Sequence, residues 1–161
     1  MKNTLLPALL SMVFLASCGP DLYYHQEKDI RDDRWSYPDT LDFNFNIQDT
    51  AALYNLYVDF SYADTFPNQN LYLKLYTRFP DGKRQSKPCS FDLFNPQGAS
   101  NGKCSGSHCD VRMQLQENAF FGQPGAYCIT MEQFMRRDPV YGIHKVGFAI
   151  EKTANKRGVK K

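Results

Sequence analysis

The chain has 161 residues and a formal net charge of +2, with 19 Lys and Arg against 17 Asp and Glu. This length suits one domain with its own core, and the near-neutral charge excludes the strongly basic composition that is typical of nucleic-acid-binding domains. We therefore expect no nucleic-acid partner. The 12 Phe and 10 Tyr favour β-strands, because aromatic side chains suit pleated, half-buried surfaces.

The N-terminus has the order of features that marks a secretory signal. Lys2 supplies a positive charge, an uncharged apolar run follows over 5–15, and small residues precede Cys18. The run is too short to cross a bilayer, which takes roughly 20 residues. A Cys directly after Leu-Ala-Ser resembles the bacterial lipobox, in which the Cys is lipidated and becomes the new N-terminus. We predict that residues 1–17 are removed and that Cys18 is lipidated; an ordinary secretory signal is the alternative.

Two segments flank the expected domain. Residues 18–34 comprise the lipidated Cys and a polar stretch without periodicity, which predicts a tether between the lipid and a domain that starts at Trp35. Residues 153–161 are predicted to form a basic disordered tail. Contact of this tail with an anionic lipid or partner surface is the alternative. The last ten residues contain five basic residues and no acid: Lys152, Lys156, Arg157, Lys160 and Lys161.

Between these segments, apolar and polar residues alternate with a period of two, which indicates half-buried strands. Turn signals such as Pro80-Asp81-Gly82-Lys83 separate the strands. Only residues 132–138 favour a helical turn, which Pro139 would end. We therefore predict an all-β domain over 35–152, an antiparallel β-sandwich of about seven to eight strands. The predicted strand segments are 41–47, 54–62, 71–75, 89–93, 111–115, 127–131 and 146–150.

Four further cysteines remain, and an exported protein can form disulfides with them. Sequence alone allows three pairings. We favour Cys104–Cys109, which would close the loop GKCSGSHC, and Cys89–Cys128 as the second bridge. Free thiols are the alternative.

No catalytic constellation is evident. His25, His108 and His144 fall in the tether, a loop and a turn, and no metalloprotease, serine-hydrolase or phosphate-binding motif occurs. Cys104 and Cys109 with His108 offer zinc ligands, but adjacent His108 and Cys109 can seldom reach one ion. We therefore predict no metal, no cofactor, no small-molecule substrate and no enzymatic activity. A hydrolase would instead require a cleft with convergent titratable groups.

The tyrosines have two interpretations. Most are expected to be buried or half-buried, because they alternate with apolar residues. A row of exposed rings on one sheet face would instead indicate a carbohydrate-binding envelope lipoprotein, which is the alternative function. The tyrosines in question are Tyr54, Tyr57, Tyr62, Tyr72, Tyr76 and Tyr127.

Three stretches carry a resemblance to a known family: FNFNIQDTAALYNLYVDFSY (43–62), FPNQNLYLKLYTRFPDG (66–82) and GAYCITMEQFMRRDPVYGIHKVGFAIEK (125–152). They resemble the gliding-motility lipoprotein family GldH of Bacteroidota, and the lipobox and length fit that family too. The last stretch is the most specific, with its Glu-Gln-x-Met-Arg and Gly-x-x-Ile-Glu elements. Residues 98–110 depart from the family, because two Cys stand where a Gly-x-Trp-x-Gly type of loop is usual.

The resemblance implies an envelope lipoprotein that supports gliding motility alongside the type IX secretion machinery, without enzymatic activity. Other proteins of the gliding machinery are then its expected partners, together with the membrane that holds the lipid. Gly19-Pro20-Asp21 lacks the acidic run that sends such lipoproteins to the cell surface. We therefore favour the periplasmic face of the outer membrane.

The segment 132–144 is the predicted interaction surface, because it interrupts the strand rhythm. It contains Met135, Arg136, Arg137 and Tyr141, and these residue types are enriched at protein interfaces. A sandwich corner that packs only locally is the alternative.

Overall fold

The structure is a computed structural model that describes residues 22–158. One short 3-10 turn, Arg31–Asp33, accompanies the strands. The strands in chain order are β1 (Leu22–Asp29), β2 (Arg34–Trp35), β3 (Leu41–Ile47), β4 (Ala52–Ala63), β5 (Asn70–Arg78), β6 (Arg84–Asp92), β7 (Lys103–Ser105), β8 (His108–Ala119), β9 (Gly125–Gln133), β10 (Val140–Tyr141) and β11 (Ile143–Lys156).

Two antiparallel sheets form a sandwich, which confirms the predicted fold class. One sheet has the strand order β1-β11-β4-β8-β7 and the other has the order β3-β9-β5-β6, while β10 and β2 form a separate short pair. Each of the seven predicted segments lies wholly or almost wholly in a strand of one of the two sheets. The described residues contain no helix with the length and apolar character that a membrane crossing requires.

The core lies between the two sheets, and aromatic rings fill much of it. The ring centroids of Phe43 and Phe148 lie 6.0 Å apart, and those of Phe60 and Phe91 lie 5.0 Å apart. Each pair joins a strand of one sheet to a strand of the other. The predicted burial of most tyrosines also holds. Tyr54, Tyr62 and Tyr127 are buried, Tyr57 and Tyr76 are half-buried, and Tyr72 is exposed.

The largest difference between the prediction and the structure lies in the segment that was expected to be a tether. Strand β1 occupies Leu22–Asp29, inside the range 18–34, and pairs with β11 as an edge strand of the larger sheet. The tether prediction is therefore wrong from Leu22 onward. An edge strand has little buried surface, and a bulge near Tyr24 disturbs the register, so the sequence lacks a clear period of two. The predicted signal 1–17 and Cys18 lie outside the described residues.

The C-terminal boundary of the domain also lies further along the chain than predicted. Strand β11 continues to Lys156, which pairs with Ala52 of β4. The backbone N–H of Arg157 then donates to the carbonyl oxygen of Ala51 at 2.9 Å. The prediction of a disordered tail is therefore wrong up to Arg157, because backbone hydrogen bonds to the start of β4 hold this segment.

The helical turn predicted over 132–138 is absent. Strand β9 runs to Gln133, and the N–H of Phe134 donates to the carbonyl oxygen of Tyr72 at 2.8 Å. This bond continues the ladder between β9 and β5 where a helix would need bonds within the segment. The chain then turns through a cis peptide bond between Asp138 and Pro139.

Candidate functional site

An open groove of about 1500 Å³ lies at the end of the sandwich where β9 ends and β10 begins. The groove is lined by residues 132 and 134–141, together with Tyr37, Pro67, Asn68 and Tyr72. The four predicted interaction residues, Met135, Arg136, Arg137 and Tyr141, all lie on its walls. The structure therefore brings the predicted surface together around one groove.

Gln133 holds the irregular segment of the groove in place from below. Its side chain is fully buried. Its Oε1 accepts a hydrogen bond from the N–H of Met135 at 2.9 Å, and its Nε2 donates to Oδ1 of Asp138 at 3.3 Å. A buried amide that bonds both ends of a turn restricts the conformations that the turn can adopt.

Residues 34–39 hold the same segment from the side. The N–H of Tyr37 donates to Oδ1 of Asp138 at 3.0 Å, and its hydroxyl donates to the carbonyl oxygen of Met135 at 2.6 Å. Trp35 pairs with Val140 in the β2–β10 ladder and is fully buried. The groove is therefore built on contacts between parts of the chain that are about 100 residues apart.

The rim of the groove exposes aromatic rings. Tyr37, Tyr72, Phe134 and Tyr141 have 38%, 45%, 50% and 59% of their surface exposed. Exposed rings of this size that converge on one concave surface are typical of binding sites. Phe134 lies within the predicted segment 132–144, whereas sequence reasoning missed Tyr37 and Tyr72, which join the groove from other parts of the chain.

The acidic side chains of the groove have hydrogen-bond partners, whereas its arginines form no ion pair within the described residues. Glu132 accepts a hydrogen bond from the hydroxyl of Tyr76 at 2.7 Å, and Asp138 is held by Tyr37. Neither Arg136 nor Arg137 forms an ion pair within residues 22–158. The groove therefore presents two exposed guanidinium groups beside apolar rings, a combination that suits a partner with acidic and apolar groups.

A second cluster lies on the solvent face of the five-stranded sheet, in a depression of about 290 Å³. Asp59 is its centre. Arg112 donates from Nε and Nη2 to the two oxygens of Asp59 at 2.7 and 2.9 Å. Nε2 of His25 lies 3.0 Å from Oδ2 of the same carboxylate. The hydrogen bond to Asp59 raises the pKa of the Arg112 guanidinium above its usual value.

Glu151 and Glu27 of this cluster are also paired. Nη1 of Arg112 lies 3.2 Å from Glu151, and Nζ of Lys145 lies 3.1 Å from Glu27. The hydrogen bond to Glu27 raises the pKa of the Lys145 ammonium group. Sequence reasoning missed the cluster because His25 and Glu27 were assigned to the tether. His25 and Glu27 are two residues apart, which places them on the same face of a strand, and this spacing was the available signal.

A metal ion would have to compete with these pairs. His25, Glu27 and Asp59 each offer a ligand atom within 4.8 Å of the others. However, Arg112 occupies both oxygens of Asp59, and its positive charge opposes a nearby cation. Titratable groups do converge here, as a hydrolase would require, but Asp59, Glu27 and Glu151 are each held by a cation. The geometry therefore favours an ion-pair network over a metal or catalytic site.

Gly147 lies beneath this cluster and permits its geometry. A Cβ atom at this position would lie 3.0 Å from Cβ of Asp59 and 3.2 Å from Cγ of Glu27. We expect Gly147→Val to reduce the free energy of unfolding by about 1–3 kcal/mol, because the added methyl groups force both carboxylates apart. Denaturant unfolding measures the change. An unaltered midpoint would show that the neighbouring side chains simply move aside.

The structure forms the favoured disulfide between Cys104 and Cys109, which face each other across β7 and β8. The disulfide therefore removes both thiol ligands from the candidate zinc site of Cys104, His108 and Cys109. Cys89 and Cys128 are free thiols, so their predicted pairing is wrong. Strand β5 separates their strands, which puts the backbones about 9–10 Å apart, beyond disulfide reach. Cys89 also lies opposite core Leu73, whereas Cys128 lies on the other face.

Reduction of the Cys104–Cys109 bridge should have a limited effect. The bridge closes a loop with a sequence separation of 5, which corresponds to about 2 kcal/mol of chain-entropy stabilisation. We expect dithiothreitol to lower the unfolding midpoint without unfolding the domain, and to leave a Cys104→Ser variant unaffected. A reductant-dependent loss of the whole fold would show that the bridge does far more than close this hairpin.

Comparisons with known proteins agree with the sequence resemblance. The gliding motility lipoprotein GldH homolog of Christiangramia forsetii is 25% identical over 154 residues, which cover 91% of this chain and 94% of that protein. Gliding motility lipoprotein GldH of Flavobacterium johnsoniae is 24% identical over 150 residues, which cover 89% of this chain and 92% of that protein.

Among solved structures, Eiger TNF from S. frugiperda has 8% sequence identity and a TM-score of 0.31, over 89% of this chain and 99% of that chain. A similarity this low carries no information about the function. The family pattern described as GldH lipoprotein matches residues 22–150. This match begins at Leu22, where β1 begins, and it ends within β11. The chain therefore belongs to the GldH lipoprotein family.

Proposed function

We propose that this protein supports gliding motility as a non-catalytic component that associates with the gliding or type IX secretion machinery. Family membership makes it a membrane-anchored lipoprotein of the cell envelope. The proposal adds that Cys18 carries the lipid, that the membrane is the outer membrane, and that the domain lies on its periplasmic face.

The groove is the observation that carries this proposal. It combines exposed aromatic rings with Arg136 and Arg137, which have no acidic partner within the described residues. Its walls are fixed by the buried side chains of Gln133 and Trp35. A surface that is held rigid in advance loses little conformational entropy on binding. These properties suit the docking of another protein.

Carbohydrate binding is the second candidate, and two neighbouring residues favour it. Tyr72 and Phe134 are exposed and adjacent, since the N–H of Phe134 donates to the carbonyl oxygen of Tyr72. Two such rings can stack on a sugar. If this is the function, Tyr72→Ala with Phe134→Ala should abolish retention of the purified domain on the host's envelope polysaccharide. If the polysaccharide does not retain the unsubstituted domain, carbohydrate binding is excluded.

Deletion of the gene in its own host tests the proposal. We expect the deletion strain to lose movement over surfaces and to secrete less surface adhesin, and expression of the unsubstituted protein to restore both. A deletion strain that moves and secretes normally would show that this cell does not use the protein for motility.

A further inference from the structure

The distance between the lipid and the folded domain is short. Residues 19–21 are all that separate Cys18 from Leu22, the first residue of β1. A fully extended chain advances at most about 3.6 Å per residue, so Cys18 and Leu22 can be no more than roughly 14 Å apart. The end of the sandwich where β1 begins must therefore lie close to the bilayer. This step rests on the proposed lipidation of Cys18.

The C-terminal segment of the chain lies at the same end. Glu151 of β11 pairs with Leu22, and β11 then continues to Lys156, beside Ala52 at the start of β4. Strand β8 ends here too, at Ala119. The guanidinium carbon of Arg157 lies 4.3 Å from the ring centroid of Phe120. Lys156 and Arg157 are therefore held on the end of the sandwich where β1 begins.

Large apolar side chains are exposed at this end. Phe120 has 55% of its surface exposed and Leu22 has 48%. Phe and Leu side chains beside basic groups are typical of surfaces that rest in the boundary between lipid headgroups and acyl chains. Arg157 is suited to such a position, because its guanidinium group lies over the ring of Phe120 and can also donate hydrogen bonds to phosphate groups.

The charge at this end favours an anionic partner. Lys156 and Arg157 are exposed, and Lys160 and Lys161 follow in the sequence. The nearby acids are mostly paired: Asp49 binds Lys152 at 2.8 Å and Asp81 binds Lys83 at 3.0 Å. Glu117 is the other acid beside Phe120 in the sequence. Anionic membranes attract clusters of basic residues that lie at their surface.

We propose that this end of the sandwich, formed by Leu22, Phe120, Lys156 and Arg157, rests on the anionic surface of the membrane that holds the lipid. The domain then has a fixed orientation. Strand β4, which spans the sandwich with 12 residues, is about 40 Å long. The groove lies at the opposite end, so it faces away from the membrane at a distance on the order of 40 Å.

Two matched aromatic positions test the orientation. The lipidated protein is bound to phosphatidylglycerol-containing vesicles whose acyl chains carry bromine, which quenches tryptophan fluorescence at short range. We expect Phe120→Trp to show strong quenching, and Phe134→Trp at the groove to show no more than the unsubstituted protein. Both Phe side chains are about half exposed, and buried Trp35 gives the same background in each.

The outcomes separate the orientation from the lipid. Protein that floats with the vesicles but shows no added quenching at position 120, or equal quenching at both positions, overturns the orientation alone. Protein that does not float shows that Cys18 carries no lipid, and it overturns this proposal together with the proposed anchoring.

Two matched basic pairs test the charge contribution. In a Cys18→Ser chain without lipid, Lys156→Glu with Arg157→Glu should weaken binding to phosphatidylglycerol vesicles by roughly tenfold or more. Arg136→Glu with Arg137→Glu carries the same charge change at the far end and should leave binding unaltered. Equal losses from the two pairs, or no loss from either, would overturn the assignment of the membrane-facing surface.

Discussion

A chain with Arg136→Glu and Arg137→Glu should fold and reach the envelope but fail to restore movement to a deletion strain. Both side chains are exposed and form no ion pair within residues 22–158, so their replacement should alter the free energy of unfolding by no more than about 0.5 kcal/mol. At an interface, however, reversed charges repel the acidic groups that the arginines would bind. We expect movement to fall to the level of the deletion strain.

The edge strand β6 offers a matched control. Arg84→Glu with Lys87→Glu makes the same change in charge at two exposed residues outside the groove. This variant should restore movement fully. Restoration by the groove variant at the unsubstituted rate would mean that the groove is not the contact surface, and an equal loss in both variants would mean that only net charge matters.

Trp35→Ala should have the largest effect on stability of any substitution near the groove. Trp35 is fully buried, and its Nε1 donates to the carbonyl oxygen of Asp39 at 2.7 Å. Removal of a buried Trp side chain costs about 3–5 kcal/mol, which is a large part of the roughly 5–15 kcal/mol that stabilises a typical domain. The pairing of β2 with Val140–Tyr141 should weaken with it, so the groove should lose its shape.

Denaturant unfolding followed by circular dichroism measures this effect. Trp35→Phe keeps a six-membered ring but loses the indole hydrogen bond and part of the buried volume, so it should cost less than Trp35→Ala, about 1–3 kcal/mol. If Trp35→Ala unfolds at the same denaturant concentration as the unsubstituted domain, Trp35 does not support this corner of the sandwich.

Alternation made the core strands predictable from the sequence. Each of the seven predicted strands buries one face against the opposite sheet, so apolar side chains recur at every second residue. Strand β3 shows this most clearly, because the predicted range 41–47 is the observed range. Where one face of a strand is buried and the other is solvated, the period of two is strong.

The missed elements have little buried surface. Strand β1 is an edge strand with a bulge that pairs with β11, and Tyr23 and Tyr24 are only partly buried against the core. Pairing partners distant in the sequence leave no local signal. The same reason explains why Arg136 and Arg137 could be predicted from the composition of one segment, whereas Tyr37 and Tyr72 join the groove only through the fold.

The cysteines show a case in which the sequence contained part of the answer. Alternation already placed Cys89 on the face of Phe91, and placed Cys128 opposite to the face of Tyr127 and Ile129. Two residues on opposite faces of one sheet cannot form a disulfide. The sequence did not reveal that β6 and β9 belong to the same sheet, with β5 between them.

Complementation of the deletion strain with Cys18→Ala tests the central claim most directly, because it separates the fold from its attachment to the membrane. The folded domain begins at Leu22 and should be unaffected by the substitution. We predict that the variant is found in the soluble periplasmic fraction and that the cells do not move. Cells that move normally with a soluble Cys18→Ala protein would contradict the account, because anchoring would then be unnecessary for the function.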